Sequence, residues 1–364
     1  MKYGLLGYLS LLFFSFSHAQ PPTPTEVFVE HDRTVQTASI YFTDAISGLS
    51  APVVIQGFRP NLLVLEELTL TPNGVILKNP VDGRVQLAMP GGQIIPHPFI
   101  PQHPEGLQAV NWVLSPDHQS IAWVEVFIAG TNWLSNAYIA DINGSSITPL
   151  PPEIDNTITP QRRLMPLALS NDRNFFFYDG AFPTFPPSLT DYFDDYSDIH
   201  VYIADQQVFQ RLPDEPLCDC GAGVGGRGQY YVRLEQTPAG FKVNLWDLFT
   251  STRQEIASVG QRYQQAGDIF IPEGLPYAFY TQAENLDDES AEAQFVLMIV
   301  RFFDGAQEVL IGPSSQRWRV LAVIDSGSAL LLDNVYSGGT YKFDLSTRQL
   351  SQVSEKTWLG TVYP

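Results

Sequence analysis

The first candidate for chemistry is the stretch CDCGAGVGGRGQ, residues 218–229. Gly221, Gly223 and Gly226 have the spacing G-x-G-x-x-G, which binds a dinucleotide when it joins a strand to the N-terminus of a helix. The residues after Gly228, QYYVRLEQ, are alternating and aromatic, so they predict a strand. Because the helix is missing, we expect these glycines to allow a close backbone approach on an inner strand and a tight turn, not to bind a nucleotide.

The two cysteines of the chain, Cys218 and Cys220, stand directly before these glycines. Residues two apart in an extended strand have Cα atoms about 6.5–7 Å apart, at the limit of disulfide geometry. The pair therefore either forms a strained disulfide across a local turn, which an exported protein allows, or remains as two thiols. A metal site is a third alternative, although two thiolates are only half of a zinc shell.

Two acidic segments are candidates for binding a divalent cation. In DYFDDYSD, residues 191–198, the candidate calcium ligands are Asp191, Asp194, Asp195 and Asp198. The second segment is ENLDDESAE, residues 284–292. Neither has the spacing of a calcium-binding loop, so the alternative is a solvated acidic insertion. We predict no resident cofactor, with calcium at the first segment as the alternative.

The overall charge narrows the range of partners. The 364 residues include 39 acidic and 20 basic side chains, which gives a formal net charge of −19. Such a surface repels nucleic acid and anionic lipid, because phosphate binding needs clustered Lys and Arg. No segment after the N-terminus is apolar for long enough to cross a membrane. We predict no nucleic-acid partner and no membrane span.

The N-terminus, MKYGLLGYLSLLFFSFSHAQ, predicts a secretory signal peptide over residues 1–19. Lys2 precedes an apolar run at residues 5–16, and Ser17 and Ala19 are the small residues that signal peptidase requires. The alternative is a buried strand or a membrane anchor. We expect a flexible proline-rich start at 20–25, a single domain over 26–364, and a periplasmic or extracellular location.

The rest of the chain consists of short β-rich runs separated by turn residues. Residues 111–126, NWVLSPDHQSIAWVEV, and 136–151, NAYIADINGSSITPLP, predict four strands joined by turns. Similar units recur along the chain, which predicts an all-β propeller of four-stranded blades, with seven blades favoured and six as the alternative. Residues 356–364 have strand character and would close the ring in the first blade. The predicted blades are 26–56, 61–96, 107–151, 164–213, 217–259, 267–312 and 318–354.

One unit carries a family resemblance. SPDHQSIAW followed by YIADINGSSITPLP resembles the TolB-type, WD-like propeller repeat, with its Ser-Pro-Asp turn and its Ala-Asp before a glycine turn. The unit at 167–213 resembles it less closely, with Ser-Asn-Asp in place of Ser-Pro-Asp. The separate N-terminal domain of TolB proteins has no counterpart in this sequence. The resemblance implies the propeller fold and not a function.

The sequence favours a non-catalytic binding or interaction module whose loops meet a protein or a glycan at one face. Trp133, Phe182 and Phe185 lie in insertions and are the candidate partner contacts; the alternative is that these loops pack on their own blade. No G-x-S-x-G elbow is present, so no catalytic residue is assigned. The alternative function is a polysaccharide hydrolase or lyase with a carboxylate pair about 5–10 Å apart in the axial channel.

Overall fold

The computed structural model describes most of the chain after residue 23. The described residues are 24–44, 48–49, 51–58, 68–101, 106–129, 132–151, 164–180, 192–193, 196, 198–212, 221–225, 228–237, 240–257, 263–284 and 292–362.

These residues form antiparallel strands and one short 3₁₀ turn at Asp325–Gly327. The first three groups of strands are β1 (Thr25–Asp32), β2 (Thr37–Asp44), β3 (Gly48–Leu49) and β4 (Val53–Gln56); β5 (Leu68–Thr71), β6 (Gly74–Lys78), β7 (Val85–Ala88) and β8 (Ile94–Pro96); β9 (Leu107–Leu114), β10 (Ser120–Ala129), β11 (Asn132–Asp141) and β12 (Thr148–Pro149). The next two are β13 (Met165–Leu169), β14 (Phe175–Asp179), β15 (Ile199–Ile203) and β16 (Val208–Arg211); β17 (Ala222–Gly225), β18 (Tyr230–Thr237), β19 (Gly240–Asp247) and β20 (Thr252–Ile256). The last are β21 (Tyr263–Phe270), β22 (Tyr277–Glu284), β23 (Gln294–Arg301) and β24 (Gln307–Ser314); β25 (Trp318–Ile324), β26 (Ala329–Asn334), β27 (Thr340–Asp344) and β28 (Leu350–Ser354); and finally β29 (Thr357–Val362).

The strands pair into seven sheets, so the prediction of a seven-bladed propeller is confirmed. Six blades take four consecutive strands each, and neighbouring blades touch through their first strands. The predicted blade divisions agree with the sheets to within a few residues at most ends. This accuracy is expected, because hairpins are local in sequence and their turn residues mark each strand end.

The ring is closed by the C-terminal strand, as predicted. β29 pairs with β1, which places Val362 opposite Thr25 and Thr357 opposite Val29. β29 is therefore the innermost strand of blade 1, followed by β1, β2 and then β3 and β4. Closure with strands from both ends of the sequence leaves no unpaired edge at the seam.

The two faces of the ring differ in their connections. Because strands alternate in direction, the connections between the second and third strands of a blade lie on the same face as the connections between blades. We call this the long-loop face; its longest connections are residues 57–67, 97–106, 150–164, 180–198, 212–221 and 285–293. The opposite, short-turn face has the remaining connections, none longer than residues 142–147 or 271–276 among the described strands. Both acidic segments follow the second strand of their blade, β14 or β22, so they belong to the long-loop face.

The core lies between blades. Each main apolar cluster joins side chains of two neighbouring sheets, for example Val232 and Leu234 of β18 with Val296 and Met298 of β23. The glycines of β17 permit the closest approach: a Cβ atom on Gly225 would lie 2.3 Å from the Cβ of Ile271. The glycine-rich stretch is therefore an inner strand that needs small residues to pack on blade 6.

Candidate functional site

The inner strands that the structure describes carry one carboxylate, Asp268 of β21, and it lies in a buried ionic network. Arg317 donates to Asp268 twice, through Nε at 2.8 Å and Nη2 at 2.7 Å. Arg319 of β25 donates through Nε at 3.2 Å. The side chains of Asp268 and Arg317 are 6% and 1% exposed, so these charges have almost no contact with water. The network joins blade 6 to blade 7.

The ionisation of this network follows from its neighbours. Burial alone would raise the pKa of Asp268, but the charges and hydrogen bonds of Arg317 and Arg319 outweigh it and hold that pKa below its ordinary value. Asp333 of β26 shows the opposite balance. Burial raises its pKa, and the charge of Arg319 and a 2.9 Å hydrogen bond from Thr357 Oγ1 only partly compensate. Two neighbouring carboxyl groups thus differ in their tendency to ionise.

Two residues from the connection between β14 and β15 of blade 4, Tyr192 and Phe193, contact blade 6 and this network. Tyr192 N–H donates to Gln265 Oε1 of β21 at 2.9 Å, and the Phe193 ring lies 4.6 Å from Arg317 Cζ. A Cβ atom on Gly267 would lie 2.6 Å from Phe193 Cβ, so the glycine makes room for the ring. Tyr192 and Phe193 therefore pack against β21, and the Phe193 ring makes a cation–π contact with Arg317.

A cavity of about 460 Å³ opens beside the network on the long-loop face, where blades 7, 1 and 2 meet. Arg319, Asp333 and Thr357 lie at its inner end. Its other lining residues include Val29, Phe58, Leu68 and Leu359 along the walls and Arg33, Tyr336 and Ser337 in the turns around it. The cavity has the size of a small-ligand site and combines apolar walls with a few polar groups.

The lower end of the channel is apolar by contrast. A cavity of about 360 Å³ is lined there by Leu70, Leu114, Leu169 and Val224, which all come from inner strands. His118 lies beside it, and burial lowers the pKa of this imidazole. The carboxylate pair that the hydrolase alternative requires along the channel is not found among the described inner-strand residues.

Asp198 is the one candidate calcium ligand that the structure describes. Its side chain is 5% exposed and lies 2.9 Å from Arg211 Nε and 3.2 Å from His200 Nε2. Its N–H donates to Asp179 Oδ1 at 2.8 Å. Within the described part of the chain, no three His, Cys, Asp or Glu side chains are grouped to hold a metal ion. Asp191, Asp194 and Asp195 lie outside the described residues, so calcium binding there stays a prediction.

The other predicted site residues are described only in part. Cys218, Cys220, Phe182 and Phe185 lie outside the described residues, as does the predicted signal peptide. The backbone of Trp133 belongs to β11, and its side chain is not described. A disulfide and these partner contacts therefore remain predictions. No helix in the described ranges is long and apolar enough to cross a membrane.

The ionic network around Asp268 and two exposed aromatic residues, Phe249 and Phe303, were not predicted from the sequence. Arg317 and Arg319 are two apart around the start of a strand, a spacing that puts both side chains on one face, and this signal was readable as R-W-R. Phe249 and Phe303 lie in turns of the short-turn face and are 55% and 73% exposed. Phe249 follows Asp247 and Phe303 precedes Asp304, so both aromatic residues stand in turns whose aspartate was the more obvious sequence signal.

Comparisons with known proteins establish the fold. No family model matches the sequence, and no curated protein matches it. An oligogalacturonate lyase in complex with manganese is similar in structure, with a TM-score of 0.54, 10% identity, and coverage of 90% of this chain and 91% of that chain. An oligogalacturonate lyase from Vibrio parahaemolyticus has a TM-score of 0.50, 9% identity, and coverage of 90% and 84%.

TolB proteins are also among the similar solved structures. A putative TolB from Agrobacterium tumefaciens has a TM-score of 0.43 and 13% identity, and the match covers 80% of this chain and 89% of that chain. Identities this low are informative about the propeller architecture alone.

Proposed function

We propose that the protein is an exported binding module that engages a protein or a glycan through its long-loop face. The observation that carries the proposal is the distribution of connections between the faces: every connection of more than six residues between the described strands lies on one side of the ring. Variable loops on a rigid scaffold are where binding residues concentrate. The 460 Å³ cavity between blades 7, 1 and 2 opens on the same side.

The buried network supports binding over acid–base catalysis in the channel. Asp268 accepts three hydrogen bonds from two arginines, and Phe193 covers Arg317. A nucleophile or a general base must reach its substrate, and this carboxylate is enclosed by its partners. Its geometry suits the role of fixing blades 6 and 7 and the loop above them.

The binding proposal is tested by capture with matched surface variants. The variant Val35→Glu/Val81→Glu alters two exposed residues of the long-loop face, and Phe249→Ser/Phe303→Ser alters two of the short-turn face. Tagged wild-type protein and both variants are incubated with extracellular fractions and with a glycan array. We expect the first variant to lose the bound partner and the second to retain it. Equal binding by all three proteins would argue against the assigned face.

Export is part of the proposal and has its own test. The sequence predicts a signal-peptidase site after Ala19, ahead of the first described strand, β1 at Thr25. N-terminal sequencing of protein recovered from outside the cytoplasm should therefore begin at Gln20. Recovery of the uncleaved chain from the cytoplasm would contradict export.

A polysaccharide hydrolase is the second candidate, and one observation favours it. Asp333 lines the cavity, and burial raises the pKa of its carboxyl group. A raised pKa suits the general acid of a glycosidase; the second carboxylate would have to be a residue other than Asp268, which its arginines enclose. Release of reducing sugar from a polysaccharide panel by the wild type, and its loss in Asp333→Asn, would support this function. No release by either protein leaves binding as the function.

A further inference from the structure

One turn of the short-turn face carries an acceptor sequence for N-linked sugars. Residues 142–147 join β11 to β12 in blade 3 and include Asn143-Gly144-Ser145. In exported proteins, Asn-x-Ser/Thr is the sequence at which an oligosaccharide is attached to asparagine, provided that x is not proline. No other asparagine of the 364 residues has this spacing, and both Asn143 and Ser145 are exposed. The acceptor sequence therefore lies where an enzyme can reach it.

This kind of turn forms without an asparagine in other blades. In the corresponding turns of blades 5 and 7, the aspartate that ends the third strand, Asp247 or Asp344, accepts hydrogen bonds from two N–H groups of the turn at 2.8–3.1 Å. Blade 3 has an aspartate at the same position, Asp141. In blade 3, however, Ser145 N–H donates to Asn143 Oδ1 at 2.9 Å. Blade 3 thus combines the aspartate of the other blades with an additional asparagine.

The hydrogen bonds of Asn143 leave its amide nitrogen for chemistry. Both hydrogen bonds that its side chain makes with described residues are accepted by Oδ1, from Ser145 N–H and from Ser145 Oγ at 2.6 Å. Ser145 Oγ also lies 2.8 Å from Asp141 Oδ2, and its single proton serves one of the two acceptors at a time. The hydroxyl and the amide of the acceptor sequence are thus side by side, and none of these bonds uses Nδ2.

The strand that follows the turn is short. β12 has two residues, which pair with Tyr138 and Ile139, whereas the outer strands of blades 5 and 7, β20 and β28, have five residues each. Few ladder hydrogen bonds have to open to release so short an edge strand. The segment after Ser145 can therefore separate from the sheet and enter the active site of a transferase.

We propose that Asn143 is an N-glycosylation site whose donor is an oligosaccharide linked to a polyisoprenyl diphosphate. In the transfer, Asn143 Nδ2 forms a bond to C1 of the first sugar and loses one proton to the transferase. The bond between C1 and the diphosphate oxygen breaks, and the lipid diphosphate leaves with the electron pair. The inference rests on the exported location in the proposed function, because the transfer takes place outside the cytoplasm.

The position of the glycan suits the assignment of the binding face. Asn143 lies on the short-turn face, opposite the long connections of the ring. A bulky, hydrophilic oligosaccharide at this position leaves the long-loop face open to a partner. It also lies next to apolar surface in the same turn, where Ile147 is 43% exposed.

Mass spectrometry of the native exported protein tests the site. The protein is purified from outside the cytoplasm of its source organism, and its intact mass and its proteolytic peptides are measured. We expect the mature chain, starting at Gln20, to be heavier than its sequence by one oligosaccharide, carried by the peptide with Asn143. An exported protein with the mass of its unmodified sequence would overturn the inference and leave the proposed function standing. Recovery of the uncleaved chain from the cytoplasm would overturn both.

Matched substitutions identify the acceptor residue. Asn143→Gln and Ser145→Ala should lose the added mass completely, whereas Ser145→Thr, which keeps the hydroxyl, should retain it. The control is Asn73→Gln, because Asn73 is also exposed before a glycine in a turn of the short-turn face, but Val75 stands where the acceptor sequence needs Ser or Thr. This control should keep the full added mass. An added mass that persists in Asn143→Gln, or that disappears in Asn73→Gln, would overturn the inference.

Discussion

On the long-loop face, charges are buried against one another around Asp268 and a cavity opens beside them, whereas the short-turn face keeps its charges in water. The aspartates of the short-turn face fix the turns themselves. Ser115 Oγ donates to Asp117 Oδ1 at 2.6 Å, and Ser170 repeats this contact with Asp172 at the same distance. The Ser and Asp residues of the repeat motif thus stabilise the turns of the short-turn face. The ionic network and the cavity of the long-loop face are formed by residues outside that motif.

The difference has a simple physical origin. A hairpin turn of few residues must satisfy its own backbone N–H groups, so its Asp and Ser side chains are occupied locally. Longer connections can reach other blades, as the segment with Tyr192 and Phe193 does when it crosses from blade 4 to blade 6. The long-loop face can therefore hold a specific site, and the short-turn face mainly holds the hairpins together.

The largest expected effect comes from breaking the ionic network. Asp268→Asn removes the negative charge that balances Arg317 and Arg319, and we expect a loss of about 3–5 kcal/mol in the free energy of unfolding, because unpaired buried charges are costly. Chemical denaturation measures it. The matched control is Asp304→Asn on the short-turn face, where the pair with Arg301 is exposed and screened by water, so its loss should change the free energy of unfolding far less. Equal losses would contradict the contrast between the faces.

A smaller effect is expected where the inner strands approach most closely. Gly225→Ala places a Cβ against Ile271, and overpacking should lower the free energy of unfolding by about 1–3 kcal/mol. Combining it with Ile271→Ala should cost less than the sum of the two single changes, because the smaller side chain relieves the overlap. Additive costs in a double-mutant cycle would show that the glycine is not needed for packing.

Acidification should weaken the long-loop face more than the short-turn face. Burial, followed by the charge of Arg33, lowers the pKa of His31 to about 4, below its ordinary value of 6.5. The unfolded chain therefore binds more protons between these pH values, and stability is complete above pH 6.5 and falls as the pH drops towards 4. His31→Gln should therefore reduce the fall in the free energy of unfolding between pH 7 and pH 5 by about 1–2 kcal/mol.

The control for this pH dependence is His118 at the lower end of the channel. Burial lowers its pKa as well, but Asp117 opposes the shift. His118→Asn, which suits the positive φ of 57° at this position, should therefore change the pH dependence less than His31→Gln does. Thermal unfolding of both variants from pH 7 to pH 4 measures the difference. A larger change for His118→Asn than for His31→Gln would mean that the short-turn face is the more acid-sensitive one.

The smallest expected effect concerns the covering ring. Phe193→Leu keeps an apolar side chain over Gly267 and loses the cation–π contact with Arg317, for an expected cost of about 1 kcal/mol. Phe193→Tyr keeps the aromatic face and should cost less. A cost for Phe193→Tyr that equals or exceeds that of Phe193→Leu would mean that the ring stabilises the loop by its shape alone.

Much of the fold was predictable from the sequence, and most of the site was not. Blade order and the inward glycines of β17 follow from short hairpin patterns, which are local, and closure by β29 was predicted from the strand character of the last residues within a repeated fold. The contact of Arg317 with Asp268 joins residues 49 positions apart, and that of Tyr192 with Gln265 joins residues 73 apart. Such pairs depend on which blades become neighbours and how an insertion folds back. Turn and strand patterns carry no information about either.

Site-specific photo-crosslinking tests the central claim, that the long-loop face is the binding face, most directly. A photoreactive phenylalanine analogue replaces Val35 or Val81 on that face, or Phe249 or Phe303 on the short-turn face; all four positions are exposed. The four proteins are irradiated in the exported compartment, and crosslinked products are identified by mass spectrometry. We predict crosslinks to one partner from residues 35 and 81 and none to that partner from 249 and 303. Crosslinks confined to residues 249 and 303 would contradict the account.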